Sequence, residues 1–184
     1  MNLNHKYGYS YPDGKNDVQQ YLWRKLSKNA KILDVGAGGG TYRLLLGPDY
    51  EWAAVEVWHD SAEYIKPIYH KVYEQDIRDF VYEEDYDLII FGDVLEHLTV
   101  EDAQHVLDAA KQHTKMILVA VPYCLEQGPL NGNEAERHLQ PDLTPETFDE
   151  RYPGFEVIFK DYHYGYYFMD LGGQTYDSWF MCNP

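Results

Sequence analysis

The chain has 184 residues, 45% of them hydrophobic, with 15 basic against 31 acidic side chains and a formal net charge of −16. That length suits one domain burying about 70% of its unfolded surface, and a field of that sign repels polyanions, which sets aside DNA, bulk RNA and anionic membrane as main partners. There is no long apolar run, no signal-peptide core after Met1 and no Cys-x-x-Cys spacing for Cys124 and Cys182, so the expectation is a cytoplasmic protein without membrane span or disulfide framework, its thiols free and buried.

Residues 1–14 read as irregular, broken by Gly8, Pro12 and Gly14, and Tyr7 and Tyr11 there are candidates for a lid. Val18, Tyr21, Leu22, Lys25 and Leu26 then follow helical spacing. The cluster Arg24, Lys25, Lys28 and Lys31 reads as a solvated helix face. Lys31 to Val35 is a short buried strand. It runs into Gly36-Ala37-Gly38-Gly39-Gly40 and a helix over Thr41 to Leu46. A glycine turn between strand and helix brings backbone N–H groups and a positive helix end to a nucleotide-like ligand. The dinucleotide fingerprint needs a third glycine three residues after the second. Counted from Gly38, that place holds Thr41, and no phosphate-loop G-K-S/T run occurs. What stands here is D-x-G-x-G-x-G, beginning at Asp34.

Trp52 to Val57 is the second strand, and Asp60 to Ile65 a short helix stopped near Pro67. Val72 to Gln75 is a third strand. Asp87 to Phe91, nearly all apolar, is a fourth, as in a parallel sheet covered on both faces. Thr99 and Asp102 stand in capping-box positions of a helix reaching His113. Met116 to Val121 is a fifth strand, ended by Pro122. A loop spans Gly128 to Asp142, and Thr144 caps a helix with Pro145 at its first position. Phe155 to Lys160 is a sixth strand and Ser178 to Cys182 a seventh. No good helix separates these two, so they are expected to pair as an antiparallel hairpin across the tyrosine-rich run Tyr162 to Tyr167. Alternating strands and helices make one α/β domain, residues 1–184, built on a Rossmann-like doubly wound sheet.

The Asp34 to Gly40 pattern resembles the first motif of the class I S-adenosylmethionine (SAM)-dependent methyltransferases. The resemblance covers about residues 15–184. It implies a mostly parallel seven-stranded sheet in the order 3-2-1-4-5-7-6, with the last strand antiparallel. It implies SAM as cofactor and S-adenosylhomocysteine as product. Asp34, Gly36, Ala37 and Gly38 would hold the ribose and methionine parts. Glu56 lies 22 residues past Asp34, near the usual distance for a carboxylate on the ribose hydroxyls. Asp76 and Ile77 match the family's adenine positions.

The run Asp93-Val94-Leu95-Glu96-His97 resembles a segment of many small-molecule methyltransferases. Asp93 and Val94 would lie against the cofactor, with Asp93 or His97 facing the acceptor. His97 is the first candidate base, since neutral imidazole suits proton transfer near pH 7. His138 precedes Leu143-Thr144-Pro145-Glu146 and resembles an acceptor-side histidine. Ubiquinone-pathway and small-RNA methyltransferases use E-x-x-E-H as metal ligands. Here Asp93 replaces the first Glu, the segment is common without metal, and the charge disfavours RNA, so no metal is expected. The resulting expectation is methyl transfer, by O-methylation, to a small molecule such as a sugar or glycan precursor. A SAM-binding protein without catalysis, a metal-assisted RNA 2′-O-methyltransferase and an NAD-type oxidoreductase are the alternatives.

Overall fold

The computed structural model describes residues 10–172. In chain order the elements are α1 (Lys15–Lys25), β1 (Lys31–Val35), α2 (Thr41–Leu46), β2 (Glu51–Glu56), α3 (His59–Ile65), β3 (Lys71–Glu74), β4 (Leu88–Gly92), α4 (Val100–Lys111), β5 (Met116–Pro122), α5 (Pro145–Arg151), β6 (Glu156–Lys160) and β7 (Tyr164–Asp170). The sheet order is β3-β2-β1-β4-β5-β7-β6. The first five strands pair in parallel, and β7 runs antiparallel between β5 and β6. This is the expected architecture.

Alternate residues of each central strand feed two cores. Leu33, Val35, Ala53, Val55, Ile89, Phe91, Ile117 and Val119 pack on one face with Val106 and Leu107 of α4 and Phe148 of α5. Ile32, Trp52, Ala54, Leu88, Ile90, Leu118 and Ala120 pack on the other with Val18 and Leu22 of α1, Leu46 of α2 and Ile65 of α3. Burial on both faces explains why these strands read as continuous apolar runs. The caps hold as read. Thr99 Oγ1 accepts from Asp102 N at 3.1 Å, and Thr144 and Thr147 cap each other at 3.1 and 2.7 Å ahead of α5. On the basic face, Lys25 pairs with Asp170 and Lys31 with Glu84. Among the described residues, no helix is long and apolar enough to cross a membrane.

Two expectations are corrected. The seventh strand is the tyrosine-rich run itself, not Ser178 to Cys182, which lies outside the described residues. Tyr164, Tyr166, Tyr167 and Phe168 are buried on both faces, and aromatic side chains favour such a pleated, covered surface. The β6–β7 turn is closed by Asp161, whose Oδ1 accepts from His163 N at 2.7 Å and Tyr164 N at 2.9 Å. Cys124 is exposed rather than buried. It sits just past β5 with φ +48°, where the chain turns out of the sheet. Cys182 and Tyr7 lie outside the described residues.

The strand order reverses between β1 and β4. Ligands of open α/β sheets bind beyond the carboxyl ends of strands at such a switch point. β7 adds a further group there. Because it runs antiparallel to β5, with Pro122 opposite Tyr164, its first residue reaches the carboxyl edge.

Candidate active site

A cavity of about 590 Å³ opens at that edge. Its wall includes Val35, Gly36, Ala37 and Gly38 after β1, Glu56 after β2, Asp76 and Ile77 after β3, and Asp93, Val94 and His97 after β4. His138 closes it from the loop before α5. The structure therefore gathers ten of the eleven sequence-derived candidates around one space, within the usual size range of ligand pockets.

The glycine turn is built by close approach. Gly36 has φ +64°, and a Cβ there would meet Val94 Cγ2 at 2.6 Å. Its N–H donates to Val55 O at 2.8 Å, tying the turn to β2. Gly36→Ala should cost about 2–4 kcal/mol of stability, from left-handed strain and overpacking, read as a lower urea midpoint. Adding Val94→Ala should return part of that loss. Strict additivity of the two substitutions in a double-mutant cycle would remove the clash from the explanation.

Asp34 is the eleventh candidate. It is 1% exposed and accepts a hydrogen bond from Tyr69 OH at 2.5 Å, while the cavity wall at this strand is formed by Val35 and Gly36. Burial pushes its pKa up to about 7, against the Tyr69 bond and the Lys15 charge, with Glu56 adding to the rise. The folded carboxyl thus holds its proton more tightly than the unfolded one. Stability from this group is lost as pH rises from about 4 to about 7. Relative to the parent chain, Asp34→Asn should gain roughly 10 °C in Tm across that interval and level off above about pH 8. A difference independent of pH would show that Asp34 is not a perturbed carboxyl.

Glu56 is 5% exposed. Its Oε2 accepts from Gly38 N and its Oε1 from Trp58 N, both at 2.8 Å. The carboxylate therefore braces the glycine turn against the end of β2 while standing in the cavity wall. Burial raises its pKa, and these backbone bonds oppose the rise. After β3, Asp76 caps a short 3-10 turn by accepting from Arg78 N at 2.9 Å. It also takes the Arg78 guanidinium on both oxygens, at 3.0 and 2.6 Å. That pairing lowers its pKa. Arg78 also lines the cavity, a neighbour that sequence reading passed over.

Asp93 adopts φ +58°, rare for a residue with a side chain. Its N–H donates to Ala120 O at 2.9 Å, which helps hold the turn. Its carboxylate accepts from Tyr164 OH. Burial raises its pKa, and the Lys15 charge and the bonds from Tyr164 and Ser10 oppose this. Lys15 Nζ donates to Ser10 Oγ at 2.6 Å and Tyr166 OH at 3.2 Å, and lies 5.1 Å from the Tyr42 ring centroid. Tyr11 stacks on Tyr164 with centroids 5.2 Å apart, and both line the cavity. Sequence reading named Tyr11, and Tyr164 only within its tyrosine-rich run, but missed Lys15 and Tyr42. They come from distant elements and carry no local spacing signal. The buried Tyr42 hydroxyl has no hydrogen-bond partner among the described residues, so a polar ligand group would satisfy it.

His97 and His138 meet with ring centroids 4.7 Å apart. The loop is clamped there by backbone bonds from Leu139 N and Gln140 N to Glu96 O, at 2.7 and 3.1 Å. Gln140, 3% exposed, donates to Leu95 O at 2.7 Å and Leu98 O at 3.1 Å. It accepts in turn from Tyr152 OH at 2.8 Å. His97 Nδ1 lies 3.3 Å from Arg137 O, and His138 Nδ1 lies 2.8 Å from Leu125 O. A carbonyl only accepts, so each Nδ1 carries the proton and each neutral ring presents an Nε2 lone pair. Burial, with His138 adding to it, pulls the His97 pKa down to about 4. Burial also lowers that of His138.

No protein-family model and no curated protein sequence matches the chain. Solved structures do. An S-adenosylmethionine-dependent methyltransferase from Clostridium acetobutylicum superposes with TM-score 0.66 at 12% identity, over 91% of this chain and 94% of that one. The N-terminal domain of EvdMO1, determined in the presence of SAH and D-fucose, gives 0.64 at 14% identity over 89% and 84%. SAM-bound CalS10, an amino pentose methyltransferase from Micromonospora echinaspora, gives 0.61 at 15% identity over 88% and 91%. The chain has the class I methyltransferase fold.

Proposed function

We propose that this chain, built on the fold of SAM-dependent methyltransferases, transfers a methyl group from SAM to a hydroxyl of a small molecule. One observation carries the reading: the glycine turn braced by Glu56 and the His97–His138 pair open into the same cavity. The residues present suit the cofactor. The turn offers backbone N–H groups, Glu56 a buried carboxylate, Ile77 an apolar wall, and Tyr42 an unsatisfied hydroxyl. Asp34 would support the turn from within, and Asp76 and Ile77 would flank the adenine. Bound SAM supplies an electrophilic methyl group on sulfur.

The protein's part is alignment of the acceptor oxygen at near-attack distance. Asp93, His97 and His138 form the polar face on the acceptor side. His97 Nε2 accepts the hydroxyl proton as the oxygen gains its new bond. A hydroxyl becomes strongly acidic at that moment, so a weak base with a pKa of about 4 is sufficient. The sugar-related neighbours make a polyol the first acceptor class to try.

The experiment is incubation of the chain with methyl-labelled SAM and fractionated cell extract. A labelled small-molecule product supports the reading and gives the acceptor class. SAM binding without any labelled product points to a non-catalytic SAM-binding protein. Thermal stabilisation by NAD but not SAM would revive the oxidoreductase.

A further inference from the structure

Among the described residues, the cavity wall carries the carboxyl groups of Glu56, Asp76, Asp93, Glu96 and Glu136 against one guanidinium, that of Arg78. Four of these carboxyls have their surroundings settled. Asp76 takes Arg78 on both oxygens. Glu96 is 1% exposed, and burial, with the Asp93 charge beside it, holds its pKa well above the usual carboxylate range, so it counts as neutral. Glu56 accepts from two backbone N–H groups. Asp93 has the Lys15 charge behind it and the Tyr164 hydroxyl upon it.

Glu136 is different. It ends the short 3-10 turn Glu134–Glu136 in the loop before α5. Gln127 Nε2 donates to its carbonyl at 2.8 Å, and Asn133 caps the turn by accepting from Ala135 N at 3.0 Å. The backbone is thus pinned, yet among the described residues the carboxylate makes no hydrogen bond or ion pair. The residue is partly exposed and lines the cavity. Burial raises its pKa, and the charges of Glu56 and Asp93 add to the rise, which sets the three carboxyls around one space. Nearby bases leave it unanswered. Arg137 is drawn to Glu134 at 3.0 Å, and burial keeps His97 and His138 neutral.

A cation brought by the ligand relieves that repulsion, and an anion adds to it. The formal charge of −16 acts in the same sense at long range, which disfavours phosphorylated acceptors. Bound SAM brings one net positive charge, so that charge and Lys15 together still leave one of the three carboxylates unmatched. Tyr11 and Tyr164, stacked at the wall, add aromatic surface that favours a cation. The protein holds an ammonium of its own in this manner, with Lys15 Nζ 5.1 and 5.7 Å from the ring centroids of Tyr42 and Tyr166.

We propose that the acceptor binds as a cation, an amine-bearing small molecule whose ammonium sits on Glu136 while one of its hydroxyls takes the methyl group. The inference rests on the methyl-transfer reading and names its substrate class. Held charged, the ammonium has no lone pair and stays out of the reaction. The acceptor oxygen forms the new C–O bond, the S–CH₃ bond breaks with its electron pair left on sulfur, and the hydroxyl proton passes to His97 Nε2.

The test is incubation of the full chain with trideuteromethyl-SAM and a small-molecule cell extract, read by capillary electrophoresis at pH 7 coupled to mass spectrometry. Expected is a deuteromethylated product that migrates as a cation, with fragmentation placing the label on oxygen. Glu136→Gln should lower its formation from the same extract by about tenfold or more, the usual worth of a hydrogen bond to a charged group. SAM affinity by calorimetry should stay within about threefold of the parent. Glu134→Gln is the control, since Glu134 is exposed, pairs with Arg137 and lies outside the cavity wall. It should leave both readouts unchanged. Far-UV circular dichroism confirms that the variants fold. A neutral or anionic product, formation unaffected by Glu136→Gln, or an equal loss in Glu134→Gln would each overturn the proposal and leave methyl transfer to a hydroxyl standing. Label on nitrogen would overturn both, because a reacting amine must be neutral. SAM bound with no labelled product would remove the methyl-transfer reading, and the acceptor class with it.

Discussion

Glu56→Ala is expected to weaken SAM binding by tenfold or more. The carboxylate does two things that alanine cannot. It accepts from Gly38 N and Trp58 N, each at 2.8 Å, and so holds the glycine turn at the end of β2. It also keeps further lone pairs facing the cavity, where ribose hydroxyls would donate. Hydrogen bonds to a charged group contribute about 1.5–3 kcal/mol each, so the loss of even one corresponds to roughly 10- to 100-fold in affinity. Glu56→Gln should be nearly as damaging. Its amide nitrogen would have to face one of two backbone N–H donors. Calorimetry reads the affinity and thermal melting reads the turn. A variant with lower Tm but unchanged SAM affinity would confine Glu56 to a structural brace.

His97→Ala should reduce methyl transfer by about 10²- to 10⁴-fold, the usual worth of a positioned proton acceptor, with SAM affinity within about threefold of the parent. The ring stands after β4, tied by Nδ1 to Arg137 O and facing His138. The glycine turn and Glu56 make no hydrogen bond to it. The split between the two readouts is the content of the prediction. Equal losses in SAM affinity and turnover would mean that the ring props up the cavity as a whole. Activity near that of the parent would remove His97 from the reaction.

The Asp34 to Gly40 turn was legible because backbone demands write themselves locally. Gly36, Gly38 and Gly40 all take positive φ, and the glycine pattern states that need. The Asp93 to His97 segment was legible through its resemblance to a methyltransferase segment and its place directly after an apolar strand. Lys15, Tyr42 and the contact of Tyr164 with Asp93 were not legible. Tyr164 reaches Asp93 only because β7 runs antiparallel and brings its first residue to the carboxyl edge. Nothing adjacent to Tyr164 in the chain announces that contact. The same holds for Cys124, where a single left-handed turn residue reverses the expected burial.

By itself the sequence determined the period of the elements, the glycine turn after β1 and the residue types along much of the cavity wall. Periodicity, turn chemistry and caps act over a few residues, so they survive in one dimension. Tertiary structure alone decided which strand is the seventh, that Asp34 is a buried carboxyl bonded to Tyr69, and that Glu96 and two histidines 41 residues apart share one corner. Those outcomes depend on long-range packing of β7 and on the Gln140 loop docking against the end of β4. The charges and lone pairs that matter for chemistry are placed by contacts between segments far apart in the chain.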